Sequence, residues 1–456
     1  MTRTMRKARI LGLLGLLAGG VHPGFAQLPN QDYRGIAETG LGLRKLANTE
    51  RILVIGAHPD DEDNQLLSVL SLGEGADVGY LALTRGEGGQ NSIGGELGPA
   101  LGVLRTEELL AARGLDRAEQ FFTRAYDFGF SKNAEETLRH WPRDSILSDV
   151  VATVRRYRPD IIIAIFSGTP RDGHGQHQVS GQLAREAFDA AADPARFPAQ
   201  IRAGMRPHRA LKLFQATGYR QADPTQRFAT GQLDPLFGRS YAQIAAASRS
   251  RHRSQDEGQL QTFGPRNTSV RLLRSLVDVR GDSTLFAHMD TTLVMKAVAA
   301  HENANVLRSL QRYDSLIATA HATLPAYTTA PAATLLAQAV RELATAAPGI
   351  GSADVRFNAE EELADASRWL VQAAGVVVDA VMDTEVLVGG NAYSVDLALW
   401  NAGDAPVRVR DFAPVLPPGW SAVRTDSTTN DVVQPGMMLT RRFKVAVPAD
   451  ATISQP

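Results

Sequence analysis

Cysteine is absent from the 456 residues, so an exported domain built from this chain would have no disulfides and would rely on a packed core or a bound metal. Any metal site must draw on His, Asp and Glu, and there are only 10 histidines. A surplus charge of one sign is also lacking: 48 Lys and Arg stand against 49 Asp and Glu, a formal net charge of -1. The long-range field that nucleic-acid binders use is therefore missing, and no nucleic-acid partner is expected. No internal repeat of fixed period is apparent, and no apolar run reaches the ~20 residues of a membrane-spanning helix. What is present, 44% hydrophobic and 21% charged residues, suffices for packed cores in two or three domains.

Residues 1–26 read as an address. Arg3, Arg6, Lys7 and Arg9 precede an apolar run from Ile10 to Leu17 that continues to Val21, and Gly24-Phe25-Ala26 offers a small-x-small cleavage site. That is the pattern of a secretory signal peptide, with an uncleaved anchor as the alternative. The expectation is an exported chain, periplasmic or extracellular, that starts near Gln27 and keeps no stable membrane span.

After a lead-in over 27–50, short β-branched runs alternate with helical stretches, as in a mostly parallel sheet with crossover helices. Ile52–Gly56, Val78–Thr84, Phe121–Tyr126, Ile161–Phe166 and Leu211–Gln215 read as strands, and 62–72, 146–157 and 178–191 as helices. A Gly-rich loop runs from Gly86 to Gly102 before a helix bearing Leu104, Leu109, Leu110 and Ala111. One α/β domain is expected over 51–261, then a linker over 262–290. Helical spacing of Leu307, Leu310, Leu316 and Ile317, and later Leu363, Trp369, Leu370 and Val371, predicts a helical module over 291–384. From Glu385 the period drops to two, predicting a small β-sandwich-like region over 385–456 that could be incomplete.

The chemistry concentrates at two strand ends, where open parallel sheets place their ligands. His58-Pro59-Asp60-Asp61-Glu62-Asp63 follows the first strand; its carboxylates repel one another, a cost that a divalent cation would remove. His58 and Asp61 offer one imidazole nitrogen and one carboxylate oxygen, and Asp60 between them could face a bound water. Proline in a first helical turn and carboxylates beside a helix N-terminus are also ordinary capping chemistry. His174-Gly175-Gln176-His177 follows the buried strand Ile161–Phe166 and supplies the imidazoles that a His/Asp half-site lacks. Three protein ligands plus water is the arrangement of a catalytic zinc.

These residues resemble the PIG-L/LmbE-like deacetylases, zinc enzymes on a Rossmann-like α/β fold that cleave N-acetylglucosaminyl groups; the resemblance runs from about Arg51 to Gln261. It implies Zn2+, or another divalent ion, held by His58, Asp61 and His177. It further implies Asp60 as general base and His174, protonated, as the group that stabilises the oxyanion or protonates the leaving amine. Arg105, in Arg105-x-x-Glu108-Leu109, matches a substrate-holding arginine, although a solvated helix charge reads equally well. Arg85, in Thr84-Arg85-Gly86-Glu87-Gly88-Gly89-Gln90, lies in a segment similar to the loop beside the site, which shapes substrate choice or is only a tight turn. The basic cluster Arg249-Ser250-Arg251-His252-Arg253 reads as a solvated face or as a clamp for an acidic glycan. The expected function is deacetylation of an N-acetylated sugar or glycoconjugate. A non-sugar N-acyl substrate and a non-catalytic glycan-binding protein with structural zinc are the alternatives.

Overall fold

The computed structural model describes residues 35–217, 223–281, 284–382, 384, 386–427 and 431–452. The expected signal peptide lies outside them. Among the described residues no helix is long and apolar enough to cross a membrane. The chain divides into two compact units, one spanning Arg44–Ala299 and the other joining Tyr33–Leu43 to Ala300–Pro456.

In chain order, the elements as far as Ala299 are α1 (Ile36–Lys45), β1 (Arg51–Gly56), α2 (Asn64–Ser68), β2 (Asp77–Ala82), α3 (Pro99–Asp116), β3 (Glu119–Phe122), α4 (Ala134–His140), α5 (Arg143–Tyr157), β4 (Ile161–Ala164), α6 (Gly175–Ala190), α7 (Pro198–Arg202), β5 (Lys212–Ala216), β6 (Gln226–Ala229), β7 (Leu233–Asp234), β8 (Arg239–Ser240), α8 (Tyr241–Arg249), β9 (Asn267–Ser275) and α9 (Leu293–Ala299). The main sheet has the order β3-β2-β1-β4-β5-β9-β6, parallel from β3 to β5 and antiparallel beyond. Buried on both faces, β1 and β4 are apolar runs with no polar alternation. Leu53, Ile55 and Ile162 point into one core with α5 and α6, and Ile52, Val54 and Ile163 into the other with α2. Strand order reverses between β1 and β4, which makes their carboxyl ends the topological switch point where such sheets bind ligands.

The sheet extends past the boundary expected at Gln261. The stretch 262–290, expected as a linker, contains β9, whose residues 267–275 hydrogen-bond to β5 and β6. Its mixed sequence, Asn-Thr-Ser-Val-Arg-Leu-Leu-Arg-Ser, carries little of the apolar signal of the central strands because only part of it is buried.

In the other unit, α10 (Ala304–Thr323), α11 (Ala330–Ala346) and α12 (Ala353–Ala373) form the helical part. Gly42 of α1 approaches the Trp369 indole so closely that a Cβ there would lie 2.3 Å from it. Helix ends at Ala373, ahead of the expected limit of 384, because Gly375 takes a φ of 70° and turns the chain into β10 (Val376–Met382). β11 (Ala392–Asn401), β12 (Val407–Arg408), β13 (Ser421–Arg424), β14 (Val432–Val433) and β15 (Met438–Ala446) follow. The order β10-β11-β15-β13 is antiparallel throughout. β15 alternates strictly between exposed and buried residues, as one-sided burial demands. Val433, of the two-stranded ladder β12-β14, shares a core with Leu399 and Leu439.

Candidate metal centre

The loop leaving β1 is shaped by its own carboxylates. Asp61 Oδ2 accepts from the backbone N–H groups of Ala57 (2.9 Å) and His58 (2.7 Å), folding 57–61 into a tight turn. Asp63 caps α2 by accepting from Leu66 N. The capping chemistry weighed above is thus real for Asp63, while Asp61 also turns towards two imidazoles. Its Oδ2 lies 3.2 Å from His58 Nδ1 and its Oδ1 lies 3.4 Å from His177 Nε2. One ligand atom from each of His58, Asp61 and His177 falls within 4.8 Å of the others. The two motifs, more than a hundred residues apart, meet at the switch point.

The free nitrogens of both ligand histidines are fixed from behind. His58 Nε2 lies 2.6 Å from Gln176 Oε1, an acceptor only, so Nε2 carries a proton and Nδ1 is the nitrogen turned to the site. Gln176 is fully buried and donates to Asp127 Oδ1 (3.2 Å) and to Gly129 O (2.9 Å), which settles its amide orientation. His177 Nδ1 meets Asp172 O at 3.3 Å, leaving Nε2 for the site. The ring of His177 stacks on Phe166 at 4.0 Å. Two imidazole nitrogens with outer partners and one carboxylate oxygen make a donor set that fits a divalent ion such as zinc.

Charges respond accordingly. Burial opposes ionisation of Asp61, but His177 and His58 hold its pKa well below the usual carboxylate range. Burial likewise opposes a proton on His58, and Asp61, then Asp127 and Asp60, raise its pKa to about 9. A cation would take over the role that this proton fills.

Asp60 stands beside the triad with φ of 100°, a strained conformation for a non-glycine residue. Both sides of its peptide are tied: its N–H donates to Glu62 Oε2 at 2.9 Å, and its carbonyl accepts from the Arg249 guanidinium. The carboxylate lies 3.0 Å from Arg105 Nη2 and keeps 21% of its side-chain surface exposed. Burial raises its pKa, with Arg105 opposing and Asp61 reinforcing.

His174 is the N-cap of α6, its Nδ1 accepting from Gln176 N at 3.1 Å. The proton therefore resides on Nε2. Burial, then the neighbouring His58 and His177, lower its pKa to about 4. This favours the neutral imidazole in the metal-free protein. The two arginines both have partners within the protein. Arg105 is 3% exposed and donates to Gly86 O (3.2 Å) and Pro59 O besides meeting Asp60, so it braces Asp60 and the adjoining loop. Arg85 lies over the Phe122 ring at 4.1 Å and donates to Thr106 Oγ1 at 3.1 Å, contacts to β3 and α3.

Sequence reasoning missed the support beneath the motif. Glu62 is fully enclosed between Arg113 Nη2 (3.1 Å) and His252 Nε2 (2.9 Å), and Arg113 also binds Asp116 at 2.7 Å. Burial opposes the Glu62 charge, but His252 and Arg113 depress its pKa strongly. In the basic cluster, His252 is therefore buried structure and Arg249 grips Asp60 and Glu257. Neither the solvated face nor the glycan clamp describes these two residues. Only the position of Gln176 between the two histidines could have hinted at its part.

Residues 53–188 match the family described as PIG-L, GlcNAc-PI de-N-acetylase, and residues 388–455 match the NPCBM-associated NEW3 domain of alpha-galactosidase. A 1D-myo-inositol 2-acetamido-2-deoxy-alpha-D-glucopyranoside deacetylase from Geodermatophilus obscurus is 32% identical over 167 residues, 33% of this chain and 56% of that protein. Diacetylchitobiose deacetylase from Thermococcus kodakarensis is 29% identical over 175 residues, 38% of this chain and 60% of its own length. The chain thus spans little more than half of these relatives. Among solved structures, N,N'-diacetylchitobiose deacetylase from Pyrococcus horikoshii has a TM-score of 0.37 at 20% identity, covering 45% of this chain and 70% of that one.

Proposed function

We propose, from the match of residues 53–188 to the PIG-L family of de-N-acetylases, that the chain is a zinc-dependent hydrolase of an N-acetylglucosamine-type sugar or glycoconjugate, releasing acetate and a free amine. The observation that carries this reading is the convergence of His58, Asp61 and His177 beside a tethered carboxylate, Asp60, and a neutral imidazole donor, His174. Three donors among the described residues, not the four that close a structural zinc, favour catalysis. Export of the chain, supported by the pattern of residues 1–26, belongs to the same proposal.

His58 Nδ1, Asp61 and His177 Nε2 would hold the ion. When bound, it supplies Lewis acidity that polarises the acetamide carbonyl and lowers the pKa of bound water to roughly 7. Asp60, its pKa raised by burial, accepts the water's proton as the oxygen attacks the carbonyl carbon. Arg105 and the two backbone tethers keep that carboxylate from rotating away. His174 donates its Nε2–H to the tetrahedral oxyanion, a contact worth on the order of 3 kcal/mol. Because a neutral imidazole has no spare proton, Asp60 returns the one it took to the departing nitrogen as the C–N bond breaks.

Acetate release from a panel of N-acetylated sugars tests the reading. Release that a chelator abolishes and added zinc restores is expected; hydrolysis indifferent to the chelator, or none with any acetamide, would overturn it.

A further inference from the structure

An aromatic ring at the rim of this centre has no part in the chemistry above. Phe130, in the loop after β3, is 74% exposed, yet its ring lies 5.1 Å from that of His174 at 68°. The two rings do not stack, and with most of its surface open Phe130 keeps a face free. The backbone around it is fixed. Gly129 donates to Asp127 Oδ1 at 2.9 Å and accepts from Gln176 at 2.9 Å, and Ser131 Oγ bonds Thr137 Oγ1 at 2.7 Å. Gly88 packs against the same turn, where a Cβ would lie 2.1 Å from Gly129 N.

A lone exposed phenylalanine elsewhere on a surface would mean little. This one ends a cluster of rings that continues through His174 and His177 (4.9 Å) to Phe166. An aromatic face is electron-rich and attracts C–H bonds polarised by neighbouring oxygen. A pyranose ring presents such C–H bonds together on one face; an open-chain N-acyl amine does not.

Resting on the deacetylase reading above, we infer that Phe130 is the platform on which the acetamido-pyranose stacks, so that the centre selects a cyclic amino sugar over an open-chain acetamide. Phe130 determines specificity and acts through the ring it holds.

The test compares kcat and KM for N,N'-diacetylchitobiose and for N-acetylethanolamine in the full chain loaded with zinc. Phe130→Ala and Phe130→Leu are expected to lower the selectivity ratio for the sugar about tenfold, chiefly through KM, while Phe130→Trp retains it. A ratio unchanged in Phe130→Ala, or retained in Phe130→Leu, would mean that the ring only packs against His174 and would overturn the inference. Calorimetric binding of N,N'-diacetylchitobiose separates this from the parent reading. Sugar binding weakened about tenfold by Phe130→Ala, with no hydrolysis by the unaltered chain, would sink the deacetylase reading alone; binding equal in both proteins, or absent from both, would sink the platform.

Discussion

Replacing Asp60 by Asn removes the proposed proton acceptor and leaves His58, Asp61 and His177 in place. The asparagine oxygen can still accept from Arg105, and the tethers at the Asp60 N–H and carbonyl are backbone contacts that the change does not touch. Asparagine tolerates the positive φ of 100° at this position. Folding and metal content should therefore be unaltered. What disappears is the group that both takes the water's proton and returns it to the amine. General-base catalysis is worth about 10²- to 10⁴-fold, or roughly 3 to 5 kcal/mol of barrier. Steady-state acetate release, paired with zinc content and a thermal melt, should show kcat down by at least about a hundredfold with KM little changed. An Asp60→Asn protein within tenfold of the original would refute the assignment, and one that loses zinc would show the residue to be a ligand.

Three other outcomes follow from the same geometry. Gln176→Leu frees the back of His58 and removes one of the donors to Asp127, so zinc affinity measured against a chromogenic chelator should fall about 10- to 100-fold; unchanged affinity would remove Gln176 from the ligand-orienting role. Because the metal-free His58 pKa is raised to about 9, zinc must displace a proton below that pH, and affinity should drop by up to about tenfold per unit as pH falls; a flat profile between about pH 6 and pH 8 would contradict this. Glu62→Gln breaks a buried ion cluster and should cost about 3 kcal/mol in denaturant melts near neutrality. The Glu62 pKa is depressed on folding, so its contribution is present above its ordinary value of 4.5 and fades as pH falls. The two proteins should converge in acid, and a constant difference would contradict the ion-pair account.

The elements and residues legible in the sequence are those with a local signal. β1 and β4 stand out as unbroken apolar runs because both faces are buried, and their ends locate His58 and His174. β9 escaped because an edge-side antiparallel strand needs no such run. The convergence of His58, Asp61 and His177 was readable because a metal site would impose residue type and spacing. Roles that depend on partners distant in sequence were not. Arg105 lies among Pro59, Gly86 and Asp60, contacts that its own helix does not announce. The charge state of His174 depends on burial beside two other imidazoles, and His252 gains its meaning from Glu62, 190 positions away.

The most direct measurement is a crystal structure of the zinc-soaked protein with anomalous data collected at the zinc edge. The account requires one ion about 2.0–2.3 Å from His58 Nδ1, an Asp61 oxygen and His177 Nε2, with a coordination position left for solvent. An ion bound elsewhere, or the imidazoles of His58 and His177 turned into separate environments, would contradict it.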